Sequence, residues 1–220
     1  MGPTCILILA DGEWGDADAV RALRRTCGLC LAADGAWAKA RSAGVPVDAV
    51  VGDLDSLSPA ARADLDRSST PVVAFPRTKD WTDLELAIDH ALRQGPTRIV
   101  IYGALGGRID HTITNLHLME KGFATGVPIE IVSPTETVRL IDGDLALPGV
   151  RVGDVVSLVP ITEWAQVRTQ GLEYELHDER LFRSASRGVS NVVRELPVRV
   201  FVAEGRLLVV HTHGARGGVA

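Results

Sequence analysis

A chain of 220 residues, 46 % hydrophobic and 23 % charged, has an ordinary globular makeup with room for one large core or two smaller ones. Its formal net charge of −5 argues against a nucleic-acid partner, since that backbone demands clustered Lys and Arg, whereas a small phosphorylated ligand needs only a local positive field. The longest apolar runs, 5–10 and 155–161, fall far below the roughly 20 residues of a bilayer crossing, and the start of the chain lacks an export signal, so we expect a cytoplasmic protein with no membrane partner.

The first 130 or so residues alternate apolar runs with helical patterns, which predicts strands near 4–10, 29–33, 48–52, 71–75 and 98–103 with helices between most of them. Such alternation predicts an α/β fold, a Rossmann-like and mainly parallel sheet with helices on both faces. Ligands of these sheets lie beyond the carboxyl ends of the strands. Asp11-Gly12, Asp34-Gly35, Gly52-Asp53 and Gly103 each follow a strand and should open onto that one rim. From about residue 133 the pattern turns to period-two and continuous apolar segments at 137–141, 154–160, 198–203 and 206–212, separated by turn signals such as Asp142-Gly143 and Glu204-Gly205. They predict a C-terminal antiparallel sandwich or barrel, the sandwich being our expectation, with domains of 1–133 and 134–220.

Cys5, Cys27 and Cys30 are too few for a disulfide framework and suit a reducing compartment. Cys27-x-x-Cys30 leads into an apolar strand instead of following one, and we read it as structural. His211 and His213 share one side of the last strand with no evident third ligand, which suggests a solvated edge. The four tryptophans, Trp14, Trp37, Trp81 and Trp164, are scattered and read as packing residues, with Trp81 set apart by its place inside a charged cluster.

Three short acidic clusters carry the chemistry. In GDLDS (52–56) the glycine permits a sharp exit from the strand, and Asp53 and Asp55, at i and i+2, would point to one side of an extended segment. Two carboxylates so close repel unless a cation or an arginine intervenes, and Mg²⁺ with its preference for oxygen ligands and phosphates fits, although a capped turn before Pro59 is the plainer reading. In KDWTDLE (79–85) Thr82 and Glu85 form a capping box that starts a helix and sets Asp83 in its first turn, while Lys79-Asp80 before the cap has no helix-forming purpose. In GALGGRIDH (103–111) the glycines bring backbone N–H groups toward a phosphate that Arg108 can clasp, and Asp110 begins the following helix as its cap or as a further ligand. No Walker loop is present.

With GDxDS, K-D-x-T-D-x-E and G-x-x-G-G-R-x-D-H in this order, joined by Ala33-Asp34-Gly35 and a late Ser186-x-Gly188-x-Ser190-Asn191, the chain resembles the thiamine pyrophosphokinase (thiamine diphosphokinase) family. The resemblance implies an α/β catalytic domain, a β domain that helps bind thiamine, and a homodimer with active sites at the subunit interface. It implies transfer of the diphosphate of ATP to the thiamine hydroxyl, with Mg²⁺ and release of AMP. Asp53, Asp55, Asp83 and Asp110 then look like the metal-binding and catalytic carboxylates, and Arg108 like the catalytic contact to the phosphates. Asp34, Lys79, Asp80, Thr82, His111 and Asn115 look like ATP contacts, and Ser190 and Asn191 like thiamine contacts. Two other readings are a diphosphokinase for another hydroxymethyl heterocycle such as a pterin, and a nucleotide- or thiamine-binding regulator without catalysis.

Overall fold

The computed structural model describes residues 4–76, 78 and 80–214, which form two compact units, the first ending at Pro134 and the second starting at Thr135. In the first unit the elements run β1 (Ile6–Leu9), α1 (Ala17–Arg25), β2 (Leu29–Ala33), α2 (Ala36–Ser42), β3 (Ala49–Gly52), α3 (Pro59–Arg67), β4 (Val72–Ala74), α4 (Asp83–Leu92), β5 (Ile99–Tyr102), α5 (Ile109–Leu118), α6 (Lys121–Thr125) and β6 (Ile129–Val132). The strands lie in the order β6-β5-β1-β2-β3-β4, every pair parallel. This is the α/β architecture the alternation predicts.

Burial explains the order. The sequences ILIL of β1 and IVIY of β5 are buried at every position, as central strands covered on both faces must be. On one face Leu7, Leu9, Ala32 and Val50 pack with Val20 of α1, Trp37 and Ala40 of α2 and Leu65 of α3. On the other face Ile6, Ile8, Leu31 and Val51 are equally buried, and α4 packs on β1, β2 and β3. Each such Leu or Ile contributes about 1.5–3 kcal/mol of transfer free energy. Strand β6 was not among the expected strands, because Glu130 breaks its short apolar run.

Helix starts follow the predicted chemistry in two places. Ser58 accepts from the Ala61 N–H at 3.2 Å with Pro59 next to it, and Thr82 accepts from the Glu85 N–H at 3.2 Å. Helix α5 departs from it: Arg108 occupies the cap position and Asp110 lies inside the first turn.

The second unit contains β7 (Glu136–Ile141), β8 (Asp144–Ala146), β9 (Val155–Pro160), β10 (Trp164–Gln170), β11 (Glu179–Phe182), β12 (Asn191–Val192), β13 (Arg199–Glu204) and β14 (Leu207–Thr212). Two antiparallel sheets, β12-β9-β14-β7 and β11-β10-β13-β8, enclose Val156, Leu158, Leu207 and Val209 from one side and Ala165, Val167, Val200 and Val202 from the other. That is a sandwich core.

Two side-chain expectations change. Cys5 and Cys27 are joined by a disulfide, their Cα atoms 4.6 Å apart because the turn after α1 returns the chain beside β1; Cys30 is a buried thiol whose pKa burial pushes up to about 12. His211 is not on a solvated edge: it is buried and bonded to the buried Asp154 at 2.8 Å. The exposed His213 meets the Thr137 hydroxyl at 2.8 Å. Among the tryptophans, Trp37 is in the core, Trp14 stands edge-on to Tyr102, and Trp164 lies under the Arg180 guanidinium, whereas Trp81 is 55 % exposed. Among the described residues no helix is long and apolar enough to cross a membrane.

Candidate active site

Strands β2, β3 and β4 step outward from one side of β1, and β5 then takes the place on its other side. At such a reversal the loops leaving neighbouring strands diverge and open a crevice. Residues 10–12 after β1 and the loop after β5, with Gly103, Gly106, Gly107 and Arg108, line a cleft of about 420 Å³ that residues 33–35, Ser56 and residues 82–84 complete. Backbone hydrogen bonds join the two loops: the Gly12 N–H donates to the Gly103 carbonyl at 2.7 Å and the Glu13 N–H to that of Leu105 at 2.9 Å. A Cβ on Gly12 would stand 2.4 Å and 2.6 Å from those oxygens, so only glycine permits the approach.

Three carboxylates gather beside the cleft. Asp34 follows β2, Asp53 follows β3 and Asp83 opens α4, with one oxygen of each lying within 4.8 Å of the others. Asp34 is 2 % exposed; its Oδ2 accepts from the Ser56 N–H at 3.1 Å, and its Oδ1 is buried without a hydrogen-bond partner. Gly52, with φ +150°, lets β3 end between them, since a Cβ there would lie 2.7 Å from Asp83 Oδ1. With oxygens 4.8 Å apart, two ionised carboxylates repel by roughly 3 kcal/mol at an effective dielectric of about 20. The cluster therefore favours a cation in its midst.

Its membership differs from the expected set. Asp34, assigned by resemblance to the nucleotide, joins Asp53 and Asp83, while Asp55 and Asp110 stand outside the group. Leu54 takes a left-handed backbone, φ +65°, so 53–55 is not extended and its carboxylates do not share a side. Asp55 is exposed, and its N–H donates to Asp53 Oδ1 at 3.2 Å, closing a local turn. Asp110 is exposed and clasped by Arg108, Nε to Oδ1 at 3.1 Å, and that hydrogen bond holds its carboxyl below the usual carboxylate range.

The other predicted residues divide. Thr82 and His111 line the cleft, Thr82 while capping α4. Asn115 reaches the cleft wall from α5 and is buried, its Nδ2 donating to the Ala104 carbonyl at 2.8 Å, so it braces the glycine-rich loop. Asp80 is exposed and not among the cleft-lining residues, and Lys79 lies outside the described residues. Ser190 and Asn191 belong to the second unit. Ser190, exposed with φ +59°, donates its N–H to Ser157 Oγ at 2.9 Å, and Asn191 lines a cavity of about 300 Å³ there.

One cation escaped the sequence reading. Lys39, one turn into α2, donates to the Asp11 and Gly12 carbonyls at 2.7 and 2.9 Å and pairs with the Asp11 carboxylate at 3.0 Å, fastening the loop after β1. Its only signal was a lysine on the first helix after Asp34-Gly35.

Two family models match. That of the thiamin pyrophosphokinase catalytic domain covers residues 20–131, and that of the thiamin pyrophosphokinase vitamin B1 binding domain covers 145–207. The thiamine pyrophosphokinase of Bacillus subtilis is 27 % identical over 170 residues, 76 % of this chain and 79 % of the relative. Thiamine pyrophosphokinase 1 of rice is 24 % identical over 164 residues, 70 % of this chain and 61 % of the relative. Among solved structures, the thiamine pyrophosphokinase of Bacillus subtilis superposes with a TM-score of 0.84 at 23 % identity, covering 94 % of this chain and 98 % of that one. The enzyme of Geobacillus thermodenitrificans superposes with a TM-score of 0.80 at 26 % identity, over 96 % and 98 %.

Proposed function

The chain belongs to the thiamin pyrophosphokinase family, and we propose on that premise that it is a thiamine diphosphokinase, moving the diphosphate of ATP onto the hydroxyl of thiamine and releasing AMP. The observation that carries the reading is the group Asp34, Asp53 and Asp83 beside a cleft whose opposite wall is a glycine-rich loop ending in Arg108.

Three carboxylates, one with a buried oxygen lacking any hydrogen-bond partner, form a hard, all-oxygen donor set that fits Mg²⁺. Held by Asp34, Asp53 and Asp83, the ion would neutralise charge on the polyphosphate. The chain's own groups do the positioning that phosphoryl transfer mostly requires. The backbone N–H groups of Gly106 and Gly107 and the Arg108 guanidinium face the phosphates, with Arg108 exchanging Asp110 for phosphate oxygens. Asn115 and Lys39 keep the two loops in place from behind. Thr82 and His111 face the nucleotide, and Asp55 and Asp110 order the loops around it. The thiamine hydroxyl oxygen attacks the β-phosphorus in line, the bond to the α,β-bridging oxygen breaks, and AMP departs with that oxygen. Little proton abstraction precedes bond formation in a loose transition state, so no strong base is needed and the hydroxyl proton passes to solvent as the ester forms.

The pterin and regulator readings are not favoured, since the matches span a catalytic and a vitamin B1 binding part and the carboxylate group is intact. The family resemblance supports a homodimer with active sites between subunits, and ATP as donor supports a cytoplasmic setting. With thiamine, ATP and Mg²⁺ the purified protein is expected to yield AMP and thiamine diphosphate in equal amounts, and Asp53→Asn to lower turnover by about 100-fold or more. Unchanged turnover in Asp53→Asn would remove the carboxylate group from the mechanism, and preference for a hydroxymethylpterin would transfer the activity to another acceptor.

A further inference from the structure

Asp154 and His211 form a buried pair, 6 % and 4 % exposed, that the proposed reaction does not use. Asp154 Oδ2 lies 2.8 Å from His211 Nε2 and accepts from the Arg151 N–H at 2.8 Å. Burial opposes ionisation of this carboxyl, but the hydrogen bond with His211 outweighs it and holds the group below the usual carboxylate range. At neutral pH Asp154 is thus ionised and can only accept, so the His211 proton stands on Nε2. His213, just past the end of β14, places its own Nε2 2.8 Å from the Thr137 hydroxyl. Partial burial of its ring, with His211 beside it, holds His213 below the usual imidazole range and leaves it neutral at pH 7. Both bonds engage Nε2, so Nδ1 is the nitrogen each ring has left to offer. Both rings line a cavity of about 350 Å³.

A histidine that binds a metal through one ring nitrogen gives the other to a carboxylate or another polar group, which fixes its tautomer and orientation. His211 with Asp154, and His213 with Thr137, follow that pattern. Zn²⁺ sits about 2.0–2.1 Å from an imidazole nitrogen and about 3.2 Å from the ring centre, so two rings about 90–110° apart around one ion have centres about 4.5–5.2 Å apart. The centres of His211 and His213 are 4.8 Å apart, with the ring planes at 73°. Nitrogen donors suit Zn²⁺ and related transition metals, in contrast to the all-oxygen group of Asp34, Asp53 and Asp83. Arg151 on the cavity wall is exposed, and water screens its charge. Arg139 and Glu136 act on His213 with opposite signs.

We propose that His211 and His213 bind one transition-metal ion of the Zn²⁺ class through Nδ1, with water completing its coordination and with Asp154 and Thr137 as positioning residues that orient the two rings. Through these partners the ion joins the end of β14 to β7 and to the turn before β9. The site is independent of the diphosphokinase reading, and its readout is metal binding instead of turnover.

Calorimetric titration of the EDTA-stripped protein with Zn²⁺ in excess Mg²⁺ tests it, with Co²⁺ and its visible absorption as a second probe. The parent is expected to take up one Zn²⁺ per chain at this site. His213→Ala, a change at an exposed position after the last strand, should weaken that binding by about 100-fold and abolish the Co²⁺ absorption; Asp154→Asn, which keeps both ligands, should weaken it by about 10–100-fold. Equal Zn²⁺ affinity in the parent and His213→Ala would overturn the site, and so would the absence of Zn²⁺ uptake by the parent. Loss of the ion in Asp34→Asn with retention in His213→Ala would assign it to the carboxylate group and overturn the site as well. Undiminished affinity in Asp154→Asn would overturn the orienting role of that carboxylate.

Discussion

Replacing Asp34 by Asn should stabilise the metal-free protein and disable it. The side chain takes part in two of the three carboxylate pairs, each within 4.8 Å. At an effective dielectric of about 20 each ionised pair costs roughly 3 kcal/mol, and solvent screening reduces the net relief to about 1–3 kcal/mol. The amide oxygen of Asn keeps the hydrogen bond from the Ser56 N–H, now 3.1 Å from Asp34 Oδ2, and its NH₂ replaces the unpartnered buried oxygen with a donor facing two carboxylates. For a chain of this size the gain corresponds to about 2–10 °C in Tm, measured by thermal unfolding in EDTA. Added Mg²⁺ should raise the Tm of the unaltered protein by mass action and that of the variant less. AMP release should fall by about 100-fold. A variant that melts earlier than the parent without metal, or that turns over normally, would refute the reasoning.

Gly12→Ala should uncouple the two cleft loops, because its Cβ would meet backbone oxygens at 2.4 and 2.6 Å; we expect a loss of about 1–3 kcal/mol in urea unfolding and a raised KM for ATP, and neither change would mean that the loops move apart freely. Asp154 gives a pH signature. Burial opposes its ionisation, but the hydrogen bonds from His211 and the Arg151 N–H outweigh it and hold its pKa below the ordinary 3.8. A folded pKa lower than the unfolded one contributes stability that is complete above about pH 5 and is lost as the pH falls through the carboxylate range. Urea midpoints from pH 5 to 3 should fall more steeply in the parent than in Asp154→Asn, and parallel slopes would contradict the assignment.

Elements whose signal is local were legible in the sequence. The apolar runs of β1 and β5 announce central strands, and Thr82 with Glu85 announces the start of α4. Strand β10 was not among the expected segments, because its inward residues are only Ala165, Val167 and Thr169 between polar neighbours. The rim of strand-end loops was foreseen, but not which acids share it, for that depends on one backbone angle at Leu54. Nor does spacing reveal that Asp110 turns to Arg108, although the two stand only two residues apart. His211 looked like an edge residue because its partner, Asp154, is 57 positions away.

The acidic group draws its members from the ends of β2 and β3 and the start of α4, segments that meet only once the sheet and its helices have docked. A partly folded chain therefore lacks the grouped carboxylates, and on the proposed Mg²⁺ reading metal uptake would report the docking of α4 on β2 and β3.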